Sequence, residues 1–161
     1  MRAVAHVANL AGRHQEAIDL SHEALALNEK LGVGVENASW LGIVGDALHG
    51  LGRYQEAVEA FSKACPIFQD HFMRRHQALC LLKVGYAYLA MGDCQAALAN
   101  MEESLPILHE LRLTQYEQRV VQNDRKLPAA ASGLRAIPTR GAQPQTGPPT
   151  DVEFRSGQRK S

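Results

Sequence analysis

Apolar residues along the first 127 residues recur with the period of amphipathic helices. Residues such as Trp40, Val44 and Leu48 follow one another at three or four positions, which places them on one helical face. No alternating run is long enough to predict a strand. The pattern predicts an all-α chain with helices at residues 2–11, 14–31, 35–51, 54–70, 74–91 and 94–111, and a weaker seventh at 115–126.

The predicted helices come in pairs that repeat every forty residues. Gly12, Gly52 and Gly92 have this spacing, and each interrupts the apolar pattern because glycine readily adopts the left-handed conformation that ends a helix. The segments around them align as AGRHQEAIDLSHEALAL, LGRYQEAVEAFSKACPI and MGDCQAALANMEESLPI. Self-similarity at this period indicates an array of helical hairpins that must stack to bury their apolar faces.

Small residues occupy equivalent positions in the two helices of each pair. The first helices carry Ala5, Gly45 and Gly85, and the second helices carry Ala17, Ala57 and Ala97. Small side chains let two helix axes approach closely, so these positions are predicted to pack within each hairpin. A glycine inside a helix costs about 1 kcal/mol relative to alanine, which favours a packing role for both glycines.

The repeated unit resembles the tetratricopeptide repeat, whose usual unit has about 34 residues. The second unit carries the family's positions as Leu41, Val44, Gly45, Leu48, Gly52, Tyr54, Ala57, Phe61 and Ala64. The third carries them as Leu81, Val84, Gly85, Tyr88, Gly92, Ala97 and Met101, with Cys94 and Ser104 as departures. The first unit is more degenerate, with His14 and Ser21 where aromatic residues are usual.

The resemblance covers about residues 1–113 and implies a right-handed superhelical solenoid of helical hairpins. It places a repeat domain at 1–127, with units at about 1–33, 34–73 and 74–113 and a partial fourth at 114–127. Met1 falls part-way into its unit, and 114–127 looks like a first helix without its partner, so both ends are expected to be open. Residues 128–161 hold five of the seven prolines and few large apolar residues, which predicts a disordered tail.

The same resemblance implies a function in protein recognition. The forty-residue period is similar to the longer-helix variety found in large bacterial signalling ATPases and transcriptional regulators. The chain is therefore expected to be a non-catalytic scaffold that binds a protein or peptide, as a sensor or adaptor module of a bacterial regulatory system. The alternatives are a structural unit that self-assembles into homo-oligomers through its open ends, and a truncated remnant of such a regulator.

In this family the ligand groove is lined by outward positions of the first helices. The resemblance places the candidate groove residues at His6, Asn9, Ser39, Asp46, His49, Leu82 and Tyr86, with Gly42, Leu79 and Leu89 beside them. Asp46 and His49 would form a polar patch, and Leu82 and Tyr86 an apolar shelf. The competing interpretation is a solvated polar face together with ordinary packing between stacked units.

Charge and motifs argue against several other functions. The chain carries no net charge; five basic and two acidic residues give the tail +3, which leaves −3 on residues 1–127 and does not favour direct nucleic-acid binding. No apolar run is long enough for a membrane span or a signal peptide, and three irregularly spaced cysteines suit a reducing cytoplasm.

The sequence also lacks the motifs of an enzyme or a cofactor site. No P-loop, dinucleotide fingerprint or HExxH is present. His76 and Cys80 have the i, i+4 spacing of metal ligands, but without a third ligand they are interpreted as structural. Ser21, His22 and Asp19 share one helix, whereas a catalytic triad draws on separate elements. We therefore expect no catalysis, cofactor or metal.

Overall fold

The computed structural model of the chain describes residues 1–31 and 34–124. This part of the chain contains seven helices and no strand: α1 (Arg2–Leu10), α2 (His14–Leu31), α3 (Gly34–Gly50), α4 (Tyr54–Asp70), α5 (Arg74–Met91), α6 (Cys94–Glu110) and α7 (Thr114–Asp124). The bounds of α1 to α6 agree with the predicted ones to within one residue. The predicted tail at 128–161 and the domain boundary before it lie outside the described residues.

The helices form a stack of antiparallel hairpins. The pairs α1–α2, α3–α4 and α5–α6 each pack together, and α2 contacts α3 as α4 contacts α5. Among the first helices, α1 contacts α3, and α3 contacts α5. The seventh helix, α7, packs on α6. This arrangement confirms the predicted all-α helical-hairpin solenoid. No helix in the ranges described is long and apolar enough to cross a membrane.

The forty-residue glycine spacing is explained by the turn inside each hairpin. Gly12, Gly52 and Gly92 have φ angles of 78°, 75° and 81°, in the left-handed region. The residue after each glycine then donates its N–H to a carbonyl five positions back; Arg53 N, for example, lies 2.9 Å from the Leu48 oxygen. This bond satisfies a carbonyl in the last turn of the helix and reverses the chain.

The turns that follow α4 and α6 have the same backbone form without glycine. Phe72 and Arg112, also forty residues apart, have φ angles of 56° and 54°. Left-handed backbone costs a residue with a side chain about 1–2 kcal/mol. The side chain of Phe72 is 87% exposed, so packing of the ring does not offset that cost.

The core is a chain of contacts along the stack, divided into two clusters. The first cluster runs from α1 to α5, and its largest fully buried side chain is Phe61. The second joins α5, α6 and α7 through buried residues that include Leu82, Met101, Leu108 and Val120. Cys65 packs against both clusters. Stability therefore depends on contacts between neighbouring units, as expected for a repeat array.

The predicted close approach within each hairpin occurs at its small residues. A Cβ atom at Gly45 would lie 2.5–2.8 Å from the Phe61 ring, and one at Gly85 would lie 2.9 Å from Met101 Cγ. In the first unit the equivalent of Phe61 is Ser21, which is smaller, and the first helix there carries Ala5 with no exposed surface. The first-helix residue is thus glycine where the second helix supplies a bulky partner. Ala17, Ala57 and Ala97 are fully buried, as predicted.

We expect Gly85→Leu to destabilise the chain by about 1–3 kcal/mol, because a side chain at this position overpacks against Met101 and the Ala97 carbonyl oxygen. The matched control is Gly42→Leu, since a Cβ at Gly42 meets no atom within 4 Å. Chemical denaturation of both variants measures the difference. Equal stability of the two variants would show that the Gly85 contact does not set the helix separation.

Candidate ligand-binding groove

A groove of about 740 Å³ runs across the first helices of all three units. It forms because α1, α3 and α5 lie side by side, so residues three or four positions apart on each helix face the same space. Its polar and charged lining residues are Arg2, His6, Glu36, Ser39, Asp46, His76 and Lys83. Its larger apolar lining residues are Val35, Ile43, Phe61, Phe68, Met73 and Leu79.

Three of the seven predicted groove residues line this space. His6, Ser39 and Asp46 face it, together with Gly42 and Leu79. Asn9 lies outside it, where its Oδ1 is 2.6 Å from Nδ1 of His14. His49 is also outside the groove, edge-to-face with Tyr54 at 5.1 Å between ring centroids.

Leu82 and Tyr86 do not form the expected apolar shelf. Leu82 is 1% exposed and belongs to the second core cluster, so its assignment to the groove is corrected. Tyr86 is half-buried against the same cluster, and its environment includes Tyr116 and Arg119 of α7; burial raises the pKa of its hydroxyl. Both residues lie on the side of α5 that faces the following unit. The partly exposed Val35, Met73 and Leu79 supply the apolar surface instead, above the buried rings of Phe61 and Phe68.

An ion pair across the groove joins two units. Lys83 Nζ of α5 donates to Asp46 Oδ2 of α3 at 2.6 Å, and it lies 5.6 Å from the centroid of the Phe61 ring. The aromatic face and the carboxylate together orient the ammonium group. The sequence interpretation missed Lys83, because its partner is 37 residues away. The only available signal in the sequence was that this separation of 37 residues is three shorter than the forty-residue repeat.

His76 adds a neutral polar group to the groove, beside the ring of Phe68. Its ring lies 5.2 Å from that of Phe68, tilted by 31°. Burial lowers the pKa of His76, and the positive charges of Arg75, Arg2 and Lys83 lower it further. The imidazole is therefore neutral at pH 7, when it has one nitrogen that donates and one that accepts a hydrogen bond.

The groove carries both signs of charge beside an apolar wall. Arg2 and Lys83 bring positive charge, and Glu36 and Asp46 bring negative charge. Polar groups at the edge of an apolar surface suit a ligand with alternating polar and apolar groups, such as an extended or helical peptide. The groove lacks the excess of positive charge that a phosphate backbone requires.

The described residues do not form a metal centre. Among them no group of three His, Cys, Asp or Glu side chains is placed to hold a metal ion. Cys80, paired with His76 by sequence spacing, is buried, and its thiol donates to the Phe61 carbonyl oxygen at 3.2 Å. Ser21 is also buried, and its hydroxyl donates to the Ala17 carbonyl oxygen at 2.7 Å. Both side chains are engaged in bonds to the backbone.

The lowered pKa of His76 predicts a pH-dependent loss of stability. As the pH falls through the ring's ordinary pKa of 6.5, the unfolded chain binds a proton that the folded chain still resists, so the free energy of unfolding decreases. We expect His76→Gln to reduce this decrease between about pH 7 and about pH 5. Denaturation at several pH values measures it, with His22→Gln on the exposed side of α2 as the control. An NMR titration that finds the pKa of His76 at or above 6.5 would contradict the assignment.

Comparison with known families agrees with this geometry. The family model described as Tetratricopeptide repeat matches residues 1–70, which span the first unit and both α3 and α4 of the second. No curated protein matches the chain. The third unit, beyond the matched residues, repeats the same left-handed glycine turn and the same glycine contact with the second helix. Residues 1–70 are thus similar to the tetratricopeptide repeat family, and the third unit continues the same geometry beyond the match.

Proposed function

We propose that this protein is a non-catalytic scaffold that binds a segment of a partner protein in the groove between α1, α3 and α5. Tetratricopeptide repeats generally mediate interactions between proteins. The observation that carries the proposal is the groove itself, which combines partly exposed aliphatic side chains with charged side chains from three successive units. Each unit contributes side chains, so a bound segment would contact residues from the whole stack.

The groove residues suggest how a peptide is held. An apolar side chain of the peptide would pack against Val35, Met73 and Leu79, since these partly exposed residues line one continuous space. The neutral ring of His76 would exchange hydrogen bonds with the peptide backbone. The absence of a side chain at Gly42 keeps the middle of the groove open, because nothing lies within 4 Å of a Cβ built there.

The cellular setting belongs to the same proposal. The forty-residue period supports a sensor or adaptor module within a bacterial regulatory system, by its similarity to the long-helix repeats of signalling ATPases and transcriptional regulators. Cys65, Cys80 and Cys94 are free thiols, which suits a cytoplasmic location.

Blocking the groove should abolish peptide binding without unfolding the chain. Peptides that bind the parent chain would first be selected from a displayed library. We expect Gly42→Arg to lower the affinity for these peptides by at least about tenfold, which corresponds to about 1.4 kcal/mol of binding free energy. We expect Asp46→Lys to lower the affinity for those selected peptides that carry a basic residue. Titration calorimetry measures both effects, and Glu59→Lys, an exposed residue of α4 outside the groove, is the control for added positive charge. Selected peptides that bind the Gly42 variant as tightly as the parent chain would place recognition elsewhere.

A second candidate function is self-assembly through α1, and a specific observation favours it. Val4 and Val7 are 56% and 57% exposed, whereas their equivalents Val44 and Ala47 are 5% and 0% exposed. In the inner units this face is covered by the second helix of the preceding unit. We infer that a second copy of the chain covers it through its own α1, since the exposed residues of α7 at the other end are mainly polar. If the chain is instead a remnant of a larger regulator, an earlier repeat of that regulator would have covered the face of Val4 and Val7.

Charged residues on α1 should prevent this association. We expect sedimentation of the parent chain to depend on concentration, and the double variant Val4→Lys, Val7→Lys to remain monomeric, because charged side chains oppose burial of the face. Phe72→Asn, which removes an exposed apolar residue elsewhere, is the control. A parent chain that is monomeric at every concentration would reject self-assembly.

A further inference from the structure

Four helices carry a glutamate in their first turn, and one of these residues differs from the others. A carboxylate is favoured there because the N-terminus of a helix carries partial positive charge. The helices α2, α3, α4 and α7 place it at Glu16, Glu36, Glu56 and Glu117. Three of the four have a basic partner on this chain, in the pairs Arg13–Glu16, Arg53–Glu56 and His109–Glu117. Glu36 has no such partner among the side chains that the structure describes.

Glu36 is also the member of this set that lines the groove. The groove contains a second carboxylate, Asp46, but its Oδ2 accepts a hydrogen bond from Lys83 Nζ at 2.6 Å. Only 27% of the Asp46 side chain is exposed, whereas Glu36 is an exposed residue. Of the two carboxylates, Glu36 is therefore the one that a positive charge from outside the chain can reach without displacing a partner.

Aliphatic surface lies at the same end of the groove as this carboxylate. Val35 precedes Glu36 in the first turn of α3, and Met73 immediately precedes α5. Because α3 and α5 are the first helices of successive antiparallel hairpins, they run in the same direction and begin at the same end of the stack. Both aliphatic residues line the groove and are partly exposed. This end of the groove thus offers an apolar contact beside a negative charge.

We propose that the segment bound in the groove carries a basic residue, arginine or lysine, next to an apolar one. The basic group pairs with Glu36, and the apolar side chain packs on Val35 and Met73. This inference rests on the proposed function, since it names the chemistry of the segment that the groove would bind. Charge complementarity supports it: the positive lining residues Arg2 and Lys83 come from α1 and α5, whereas the charged residues that α3 contributes are both acidic.

A double-mutant cycle between the chain and its selected peptides tests this pairing. We expect peptides selected from a displayed library on the parent chain to be enriched in a basic residue beside an apolar one. Replacing that basic residue with glutamine, or making Glu36→Gln, should each lower the affinity by about threefold to fivefold. The two changes together should lower it no further, because the same ion pair is lost once. An effect of Glu36→Gln on the start of α3 acts on all peptides alike and cancels in the cycle.

The matched control is Glu59→Gln, the same change at an exposed glutamate of α4 outside the groove, which should leave the affinity unchanged. Peptides that lose affinity with Gly42→Arg but respond alike to Glu36→Gln and Glu59→Gln would overturn this inference and leave the proposed groove intact. Selection of acidic peptides would also overturn it, in favour of recognition through Arg2. Peptides that bind the Gly42→Arg variant as tightly as the parent chain would overturn the proposed groove and this inference together.

Discussion

The separation of the two helices in each hairpin is the constraint on which the rest of the structure depends. In the second and third units a bulky side chain of the second helix, Phe61 or Met101, occupies the space left by a glycine of the first. The contact brings the helix axes close enough to bury Ala57 and Ala97 completely. Interiors are packed to near crystal density, so the spacing set here is transmitted to the neighbouring units.

The groove is a consequence of that spacing. Once each hairpin is closed, its second helix covers the first helix of the next unit, and α1, α3 and α5 are left side by side. Their inward residues then meet across unit boundaries, as Asp46 and Lys83 do. Phe61 serves both purposes: one part of its ring fills the space at Gly45, and the residue also lines the groove. Closure of the hairpin and the shape of the binding surface therefore depend on the same side chain.

Stacking also explains the uneven exposure along the array. A face that is buried in the inner units is open on α1, where Val4 and Val7 are more than half exposed. Stacking also extends the second core cluster, because α7 packs on α6 and its own Val120 is completely buried there. Contacts at the unit boundaries bring together residues distant in sequence, among them the Cys80 thiol and the Phe61 carbonyl oxygen. The chemical properties of the array are concentrated at these boundaries.

The sequence by itself determined the helices, their pairing and the turns. Local features suffice for these: apolar periodicity places the helices, and Gly12, Gly52 and Gly92 mark positions where the backbone must be left-handed. The pairing of Gly45 and Gly85 with second helices was also predicted, since a repeated small residue inside a helix indicates close packing.

Only the tertiary structure decided which side chains face the groove. Leu82 and Tyr86 were assigned to it by register with Gly42 and Asp46, but Leu82 is buried in the second cluster and Tyr86 packs against it. Lys83 and His76 entered the groove through contacts with Asp46 and Phe68 on other helices. Such contacts depend on the relative rotation of neighbouring units, which the periodicity of one helix does not specify. The sequence therefore determined the architecture, and the stacking of units determined the chemistry of its surface.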